Sequence, residues 1–167
     1  LPNFFEPYWY GDEAIYLTIG NSLRQGAHLY TDIVDHKTPL IYLFAMLTGS
    51  QQNFRLLLLV WMLITTSLFY KLVAQITKGK YSAPVATLLF ILLTTLPWFE
   101  GNIPNGELFV MGFVIAGLYC LQQTHYFQQF FQTKTQLKTK TENYPALVAS
   151  GVLLGLGILT KVPALLD

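Results

Sequence analysis

Four long stretches without a charged side chain follow one another after residue 55. They contain 15, 19, 26 and 18 residues and are bounded by Arg55 and Lys71, Lys80 and Glu100, Glu107 and Lys134, and Glu142 and Lys161. A helix needs roughly 20 apolar residues to cross a bilayer, and basic side chains at the ends of the shortest stretch can extend it by snorkelling. The pattern predicts transmembrane helices at about 54–76, 82–98, 107–127 and 145–163.

Two shorter patterns precede these stretches. The apolar run from Pro39 to Leu47 predicts a helix over 39–50 of about 12 residues, which rises about 18 Å and falls short of the roughly 30 Å core. We therefore expect it to lie in or dip into one interface. Within 12–25, apolar residues recur at four-residue spacing, which predicts an amphipathic surface helix that ends before Gly26. These apolar residues are Ile15, Ile19 and Leu23, with Tyr16 beside them.

The charged side chains are divided unevenly between the connecting segments. If 39–50 does not cross, segments 1–53 and 98–107 share one side and segments 72–81 and 126–145 share the other. With boundary residues counted, the second set carries six lysines and one acid, and the first carries seven acids and three bases. Lysine-rich short loops stay in the cytoplasm, so the acidic side is expected to be extracytoplasmic.

Composition narrows the class of protein. Of the 167 residues, 53% are hydrophobic and only 11% are charged, against roughly 25% charged in a soluble domain, which excludes a soluble single domain. A net charge of +1 offers no basic surface for nucleic acid. We expect an all-α, polytopic integral membrane protein with about four transmembrane helices and external juxtamembrane helices. Residues 1–53 would form the external loop and 54–167 the helix bundle, as an internal piece of a longer protein.

Candidate chemistry is concentrated on the external side. Asp12 and Glu13 open the first helix, where the helix dipole favours ionised carboxylates. They are either capping residues or accessible carboxylates that could act as a general base for a hydroxyl acceptor or as a metal ligand. His36 and Lys37 precede the helix that begins at Pro39, where a cation and free N–H groups can bind an anion; alternatively, Lys37 reaches toward lipid headgroups. Glu107 opens a later span, as a cap or as a second carboxylate on this side.

Two other features are assigned no chemistry. The three histidines do not have metal-ligand spacing, so no metal site is predicted. The glycine-containing segment GVLLGLG, with Gly151, Gly155 and Gly157, follows no strand and is surrounded by apolar residues. It favours close packing between helices over a nucleotide loop.

The order of these motifs resembles the C-type membrane glycosyltransferases that use polyprenyl-phosphate sugars, the group of the protein O-mannosyltransferases and lipid A aminoarabinose transferases. The resemblance rests on GDEAIYLTIGNSLRQGAHLYTDIVDHKTPLIYLF and on later short motifs, and it covers most of the chain. The matching positions are Asp12-Glu13, Lys37-Thr38-Pro39, Glu107, and Gly151 to Lys161. Two positions depart from the family: Thr38 replaces the first proline of a Lys-Pro-Pro motif, and Ile15 replaces the arginine of the aminoarabinose transferases.

The resemblance implies an inverting sugar transfer on the extracytoplasmic side of a bacterial inner or plasma membrane. Asp12 and Glu13 would form the catalytic pair, in which Asp12 acts as base or orienting group for a lipid, glycan or protein acceptor. Lys37 would hold the phosphate of the polyprenyl-phosphate-linked sugar. Glu13, Glu107 and His36 would shape the acceptor side or bind a divalent ion, which only some relatives use, so no cofactor is implied. The alternatives are a fragment of a polytopic transporter or lipid flippase, whose charges are usually found in mid-span, and a purely structural membrane subunit.

Overall fold

The structure, a computed structural model, describes residues 11–77, 79–96, 101, 103–124 and 143–161. This part of the chain is helical and contains no strand, as expected for an all-α protein. Six helices follow one another: α1 (Gly11–Arg24), α2 (Pro39–Thr48), α3 (Gln51–Ile76), α4 (Ser82–Thr95), α5 (Gly106–Gln122) and α6 (Tyr144–Thr160).

Helices α1 and α2 form where the two short patterns predict helices, and glycines end both. Gly26 has φ +95, and the N–H of Ala27 bonds to the carbonyl of Ser22 at 3.1 Å, which is the Schellman arrangement that satisfies the last carbonyls of α1. Pro39 begins α2, and Gly49, with φ +65, ends it after 10 residues. Such a helix rises about 15 Å, too little to cross a bilayer.

The face that α1 buries differs from the predicted one. The buried positions are Glu13, Tyr16, Leu17, Ile19 and Gly20, and Ile15 of the predicted stripe is 42% exposed. Helix α1 packs against α2, where a Cβ on Gly20 would lie 2.6 Å from the backbone nitrogen of Met46. This close approach and the burial of Glu13 determine which side of α1 faces inward.

Helix α3 is long and apolar enough to cross a membrane, and it is the one helix in the described ranges that meets both criteria. Its 26 residues rise about 39 Å. Only 17% of the residues in its most apolar stretch of 18 residues are buried. Helices α4, α5 and α6 are also apolar, but they have 14, 17 and 17 residues. Helix α4 ends earlier than predicted because Leu96, which precedes a proline, is extended. The predicted ends at 97–98, 125–127 and 162–163 lie outside the described residues.

Side-chain contacts establish the relative directions of the longer helices. Phe54 stacks on Phe109 near the start of α3 and of α5, and Gln123 donates to Gln75 at the opposite ends of the same helices, so α3 and α5 run parallel. Lys161, just after α6, contacts Glu107 at the start of α5, so α6 is antiparallel to α5. We call the end that carries α1, α2, residues 51–55, 103–107 and 160–161 the polar end.

The core below the polar end is aromatic. Tyr16, Tyr42, Phe54 and Phe109 are fully buried, and Trp61 packs edge-on against Phe113 with ring centroids 4.7 Å apart. Glycines allow α5 to approach both neighbouring helices, since Cβ atoms on Gly112 and Gly117 would clash with Trp61 and Leu154 respectively.

The predicted packing role of the α6 glycines holds only in part. A Cβ on Gly157 would lie 3.5 Å from the Cβ of Phe113, so this glycine does face α5. At Gly151 and Gly155 an added Cβ would meet no described atom within 4 Å. Among the described residues, the stripe at four-residue spacing is therefore not the surface that packs, because α6 is rotated so that Ser150 and Gly157 face inward instead.

Candidate functional site

Lys37 is at the centre of a group of polar side chains at the polar end. Its Nζ lies 2.6 Å from Asp12 Oδ1 and donates to the Tyr16 hydroxyl at 3.2 Å, and the Tyr16 hydroxyl donates to Asp12 Oδ2 at 3.1 Å. The ammonium group also lies 4.6 Å from the centroid of the Tyr16 ring. The Lys37 and Asp12 side chains are 13% and 26% exposed, so both are sheltered and still reachable from solvent.

Local structure explains how these three side chains meet. Asp12 and Tyr16 are four residues apart on α1 and therefore share a face. Lys37 precedes Thr38, which is extended because Pro39 follows. The backbone carbonyl of Lys37 accepts a hydrogen bond of 2.6 Å from the Tyr30 hydroxyl. The lysine is thus held at the start of α2, where the first N–H groups of the helix add positive potential.

A second ion pair lies beside the first. Glu107 in the first turn of α5 pairs with Lys161, and its backbone N–H donates to the Asn105 cap at 2.9 Å. A Cβ on Gly106 would be 3.2 Å from Lys161 Cδ and 3.8 Å from the Tyr16 hydroxyl, so both pairs adjoin Tyr16. We call Asp12, Tyr16, Lys37, Glu107 and Lys161 the charged cluster.

Tyr16 is a neutral hydroxyl donor in this cluster. Burial is the main cause that raises the pKa of the Tyr16 phenol well above its usual value. The negative charges of Asp12 and, more weakly, Glu107 act in the same direction. The hydroxyl therefore keeps its proton and can continue to orient the Asp12 carboxylate.

Glu13 points away from the charged cluster into the protein. Its Oε1 accepts from Arg55 Nε at 2.8 Å and its Oε2 accepts from Arg55 Nη2 at 2.7 Å, and Gln51 Nε2 lies 3.3 Å from Oε2. The Glu13 and Arg55 side chains are 0% and 4% exposed. The expectation that Arg55 snorkels at the end of a span is wrong, because the buried carboxylate draws its guanidinium inward.

His36 lies on the surface next to the cluster. Its ring Nδ1 is 2.9 Å from Asp35 Oδ1, and its side chain is 86% exposed. Across the described residues, no group of three or more His, Cys, Asp or Glu side chains gathers as a metal ion would need. His36 is thus accessible to a ligand from outside, and its described ionic partner is Asp35.

The structure brings three of the five predicted site residues together: Asp12, Lys37 and Glu107. It adds Tyr16 and Lys161 to them and separates Glu13 and His36 from them. The sequence contained a hint that Lys161 belongs to the site, because the predicted span at about 145–163 would bring Lys161 to the acidic side. The hint for Arg55 was weaker, since it is only a lone arginine at the edge of an apolar run.

The arrangement combines a carboxylate that solvent can reach with two ammonium groups. Such a combination suits a substrate that carries both an anionic group and a hydroxyl group, since lysine binds phosphates and a carboxylate accepts a proton. Comparison with models of protein families finds no match, and searches of curated proteins and of solved structures also find no significant match.

Proposed function

We propose that this chain forms part of a membrane-embedded glycosyltransferase that moves a sugar from a polyprenyl-phosphate donor to an acceptor hydroxyl. The observation that carries the proposal is the contact of 2.6 Å between Lys37 and Asp12. These residues come from two separate motifs of the resemblance, 25 positions apart in the sequence. Lys37 would bind the donor phosphate, and Asp12 would serve the acceptor beside it.

The reaction proposed is a single inverting displacement. The acceptor oxygen attacks the anomeric carbon of the sugar, the bond between that carbon and the phosphate oxygen breaks, and the hydroxyl proton passes to Asp12. Polyprenyl phosphate leaves with the electron pair of the broken bond. A fixed cation stabilises the charge that develops on the leaving oxygen, and it does so more strongly in a sheltered site than in water.

The remaining cluster residues have supporting roles in this proposal. Glu107 is 56% exposed on its side chain, so it can contact the acceptor while it is paired with Lys161. His36 would contact the acceptor or the sugar from the solvent side. No step requires a metal or an organic cofactor.

We further propose that α3, α4, α5 and α6 all cross the bilayer and that the polar end is extracytoplasmic. Supporting this, α3, α4 and α6 expose large apolar side chains such as Leu63, Leu88 and Val152, at 61%, 58% and 57% exposure. Surfaces of this kind are unusual in water and are matched by lipid. The lysine asymmetry of the loops supports the side assignment, in a bacterial inner or plasma membrane.

A transporter or flippase fragment is the second candidate, and the positions of the charges favour it less. Among the described residues of α3, α5 and α6, charged side chains lie near the helix ends, at Arg55, Lys71, Glu107 and, just after α6, Lys161. A solute path through a membrane usually requires ionisable groups near the bilayer centre. Charges gathered at one end are more typical of interfacial chemistry.

The experiment measures the release of undecaprenyl phosphate from undecaprenyl-phosphate-linked mannose, glucose and aminoarabinose by the complete protein, with a membrane extract as the source of acceptor. Asp12→Asn keeps side-chain size and capping ability but removes the charge and basicity, so we expect the transfer rate to fall on the order of 100-fold or more. Lys37→Met keeps the apolar stem and should mainly raise the donor KM. Glu107→Gln should cause a smaller loss.

His28→Gln is the matched control, because His28 lies in the same external segment, is 81% exposed and pairs only locally with Asp32 in the described structure. Its rate should equal that of the wild type. Wild-type turnover in folded Asp12→Asn would refute the catalytic role, and an unchanged donor KM in Lys37→Met would refute the phosphate role. Movement of the lipid-linked sugar across the bilayer without transfer of the sugar to an acceptor would favour the flippase function.

A further inference from the structure

The ion pair between Glu13 and Arg55 is the most deeply buried charged contact in the described structure. Both oxygens of the carboxylate are engaged by Arg55, at 2.8 and 2.7 Å, and the two residues are 42 positions apart. Helix α1 packs against α2, so this pair gives α1 a second attachment, to the first turns of α3. Two parallel hydrogen bonds define an orientation as well as a distance.

The pair acts on the part of α1 that carries Asp12. Glu13 lies on the buried stripe with Tyr16, Leu17 and Gly20, which is the spacing of one helix face. Successive residues on a helix are about 100° apart, so a Glu13 side chain directed inward places Asp12 at the edge of the buried face. From there, Asp12 reaches Lys37.

Stability alone does not account for such a pair. Removing both charges from water is costly, and replacing a buried ion pair by apolar side chains of similar volume is often neutral or stabilising. A matched apolar pair would hold α1 against α3 but would not define its rotation by directional bonds. What the ion pair adds is geometric precision at the first turn of α1.

We propose that Glu13 and Arg55 are positioning residues: their buried ion pair sets the rotation of α1 and with it the place of the Asp12 carboxylate, while Glu13 contacts neither substrate. This inference rests on the proposed function, since it assigns Asp12 the role at the acceptor. It moves Glu13 from the catalytic pair of the sequence prediction to a supporting position.

Four variants of the complete protein test the inference: Glu13→Gln, Arg55→Lys, Glu13→Met and the double variant Glu13→Met with Arg55→Met. A misplacement of about 1 Å can lower a rate on the order of 100-fold, so Arg55→Lys should lower kcat by about 10- to 100-fold. The donor KM should stay within about threefold, because Lys37 is retained. The double variant should fold, because it leaves no unpaired buried charge, but its kcat should stay about 10- to 100-fold below that of the wild type, because no directional bonds define the rotation of α1.

Two further measurements separate the possible causes. Lys71→Met removes an exposed charge from α3, the helix that carries Arg55, and should leave kcat unchanged. Spin labels at the exposed positions Thr18 and Gln52 report the placement of α1 against α3 without any reaction. Their distance distribution should broaden in Glu13→Gln and also in the double variant, which has no directional bonds between α1 and α3.

The outcomes are distinct. If the double variant folds and turns over at the wild-type rate, the directional ion pair is not needed to place Asp12 and the positioning role is refuted. An unchanged distance distribution in Glu13→Gln also refutes it. Wild-type turnover in Asp12→Asn, measured in parallel, would instead overturn the proposed function, and the spin-label result would then still decide whether the ion pair orients α1.

Discussion

At the residue scale, the important feature is the ion pair between Lys37 and Asp12. The ammonium group has two described acceptors, the Asp12 carboxylate and the Tyr16 hydroxyl. In the proposed function, a donor phosphate that binds Lys37 would compete with Asp12 for the ammonium group. Donor binding would thus free the Asp12 carboxylate to contact the acceptor.

The acids of the loop between α1 and α2 lead to a prediction about pH. Partial burial acts to raise the pKa of Asp35, but the Tyr42 hydroxyl, the His36 N–H and neighbouring cations hold it below its usual range. The backbone N–H of His28 and its ring lower the pKa of Asp32. Groups with a lowered folded-state pKa stabilise the fold above the unfolded value of 3.8, and this contribution is lost as the pH falls through the folded-state value.

We therefore expect the loop 27–38 to lose stability as the pH falls below 3.8 towards the lower folded-state pKa values of Asp32 and Asp35. Hydrogen exchange of its amides, compared between pH 6 and pH 2.5 after correction for intrinsic rates, should show loss of protection. In the variant Asp32→Asn with Asp35→Asn, protection should be weak at both values. A wild-type loop that is equally protected at both pH values would contradict the assignment.

At the element scale, the contact between α1 and α2 is the most sensitive to side-chain size. Gly20 lies against the backbone of Ala45 and Met46, and an added Cβ would be within 2.8 Å of both. Backbone atoms cannot move aside as a flexible side chain can, so a methyl group forces the helices apart.

Gly20→Ala should destabilise the protein by about 1–3 kcal/mol, as overpacked sites do, despite the better helix propensity of alanine. Gly151→Ala is the matched control, because Gly151 is also helical and a Cβ there meets nothing within 4 Å among the described residues. Thermal unfolding of both variants in detergent measures the difference. Equal melting temperatures would show that α1 and α2 are not held at this distance.

At the scale of the whole molecule, the proposal that α3, α4, α5 and α6 cross a bilayer predicts which segments face which side. Single cysteines at Val34, Tyr81, Asn102 and Thr135, in a Cys120→Ala background, should be labelled by an impermeant maleimide only at Val34 and Asn102 in intact cells. Tyr81 and Thr135 should react after permeabilisation. Val34 and Tyr81 are suitable because their side chains are 83% and 69% exposed. Labelling of Asn102 on the same side as Tyr81 would show that α4 does not cross.

Most of the helices could be predicted from the sequence because their determinants are local. Runs of apolar residues, Pro39 at the start of α2 and Gly26 after α1 act through neighbouring backbone groups, so the pattern itself contains them. The end of α4 and the buried face of α1 were predicted less well from the sequence. Ile15 continues an apolar period but is exposed, because contacts with α2 and Arg55 rotate the helix.

For the site, the sequence by itself determined the residue types and the end of the molecule at which they belong. Asp12 and Glu107 lie in the first turns of their helices and Lys37 lies two residues before α2, and the predicted spans return the starts of these helices to the same end of the bundle. Only the tertiary structure decided that Glu13 is buried against Arg55 and that Lys161 pairs with Glu107. These partners are 42 and 54 positions apart. Contacts of that kind depend on how helices rotate and pack against each other, which no local pattern of hydrophobic and polar residues specifies.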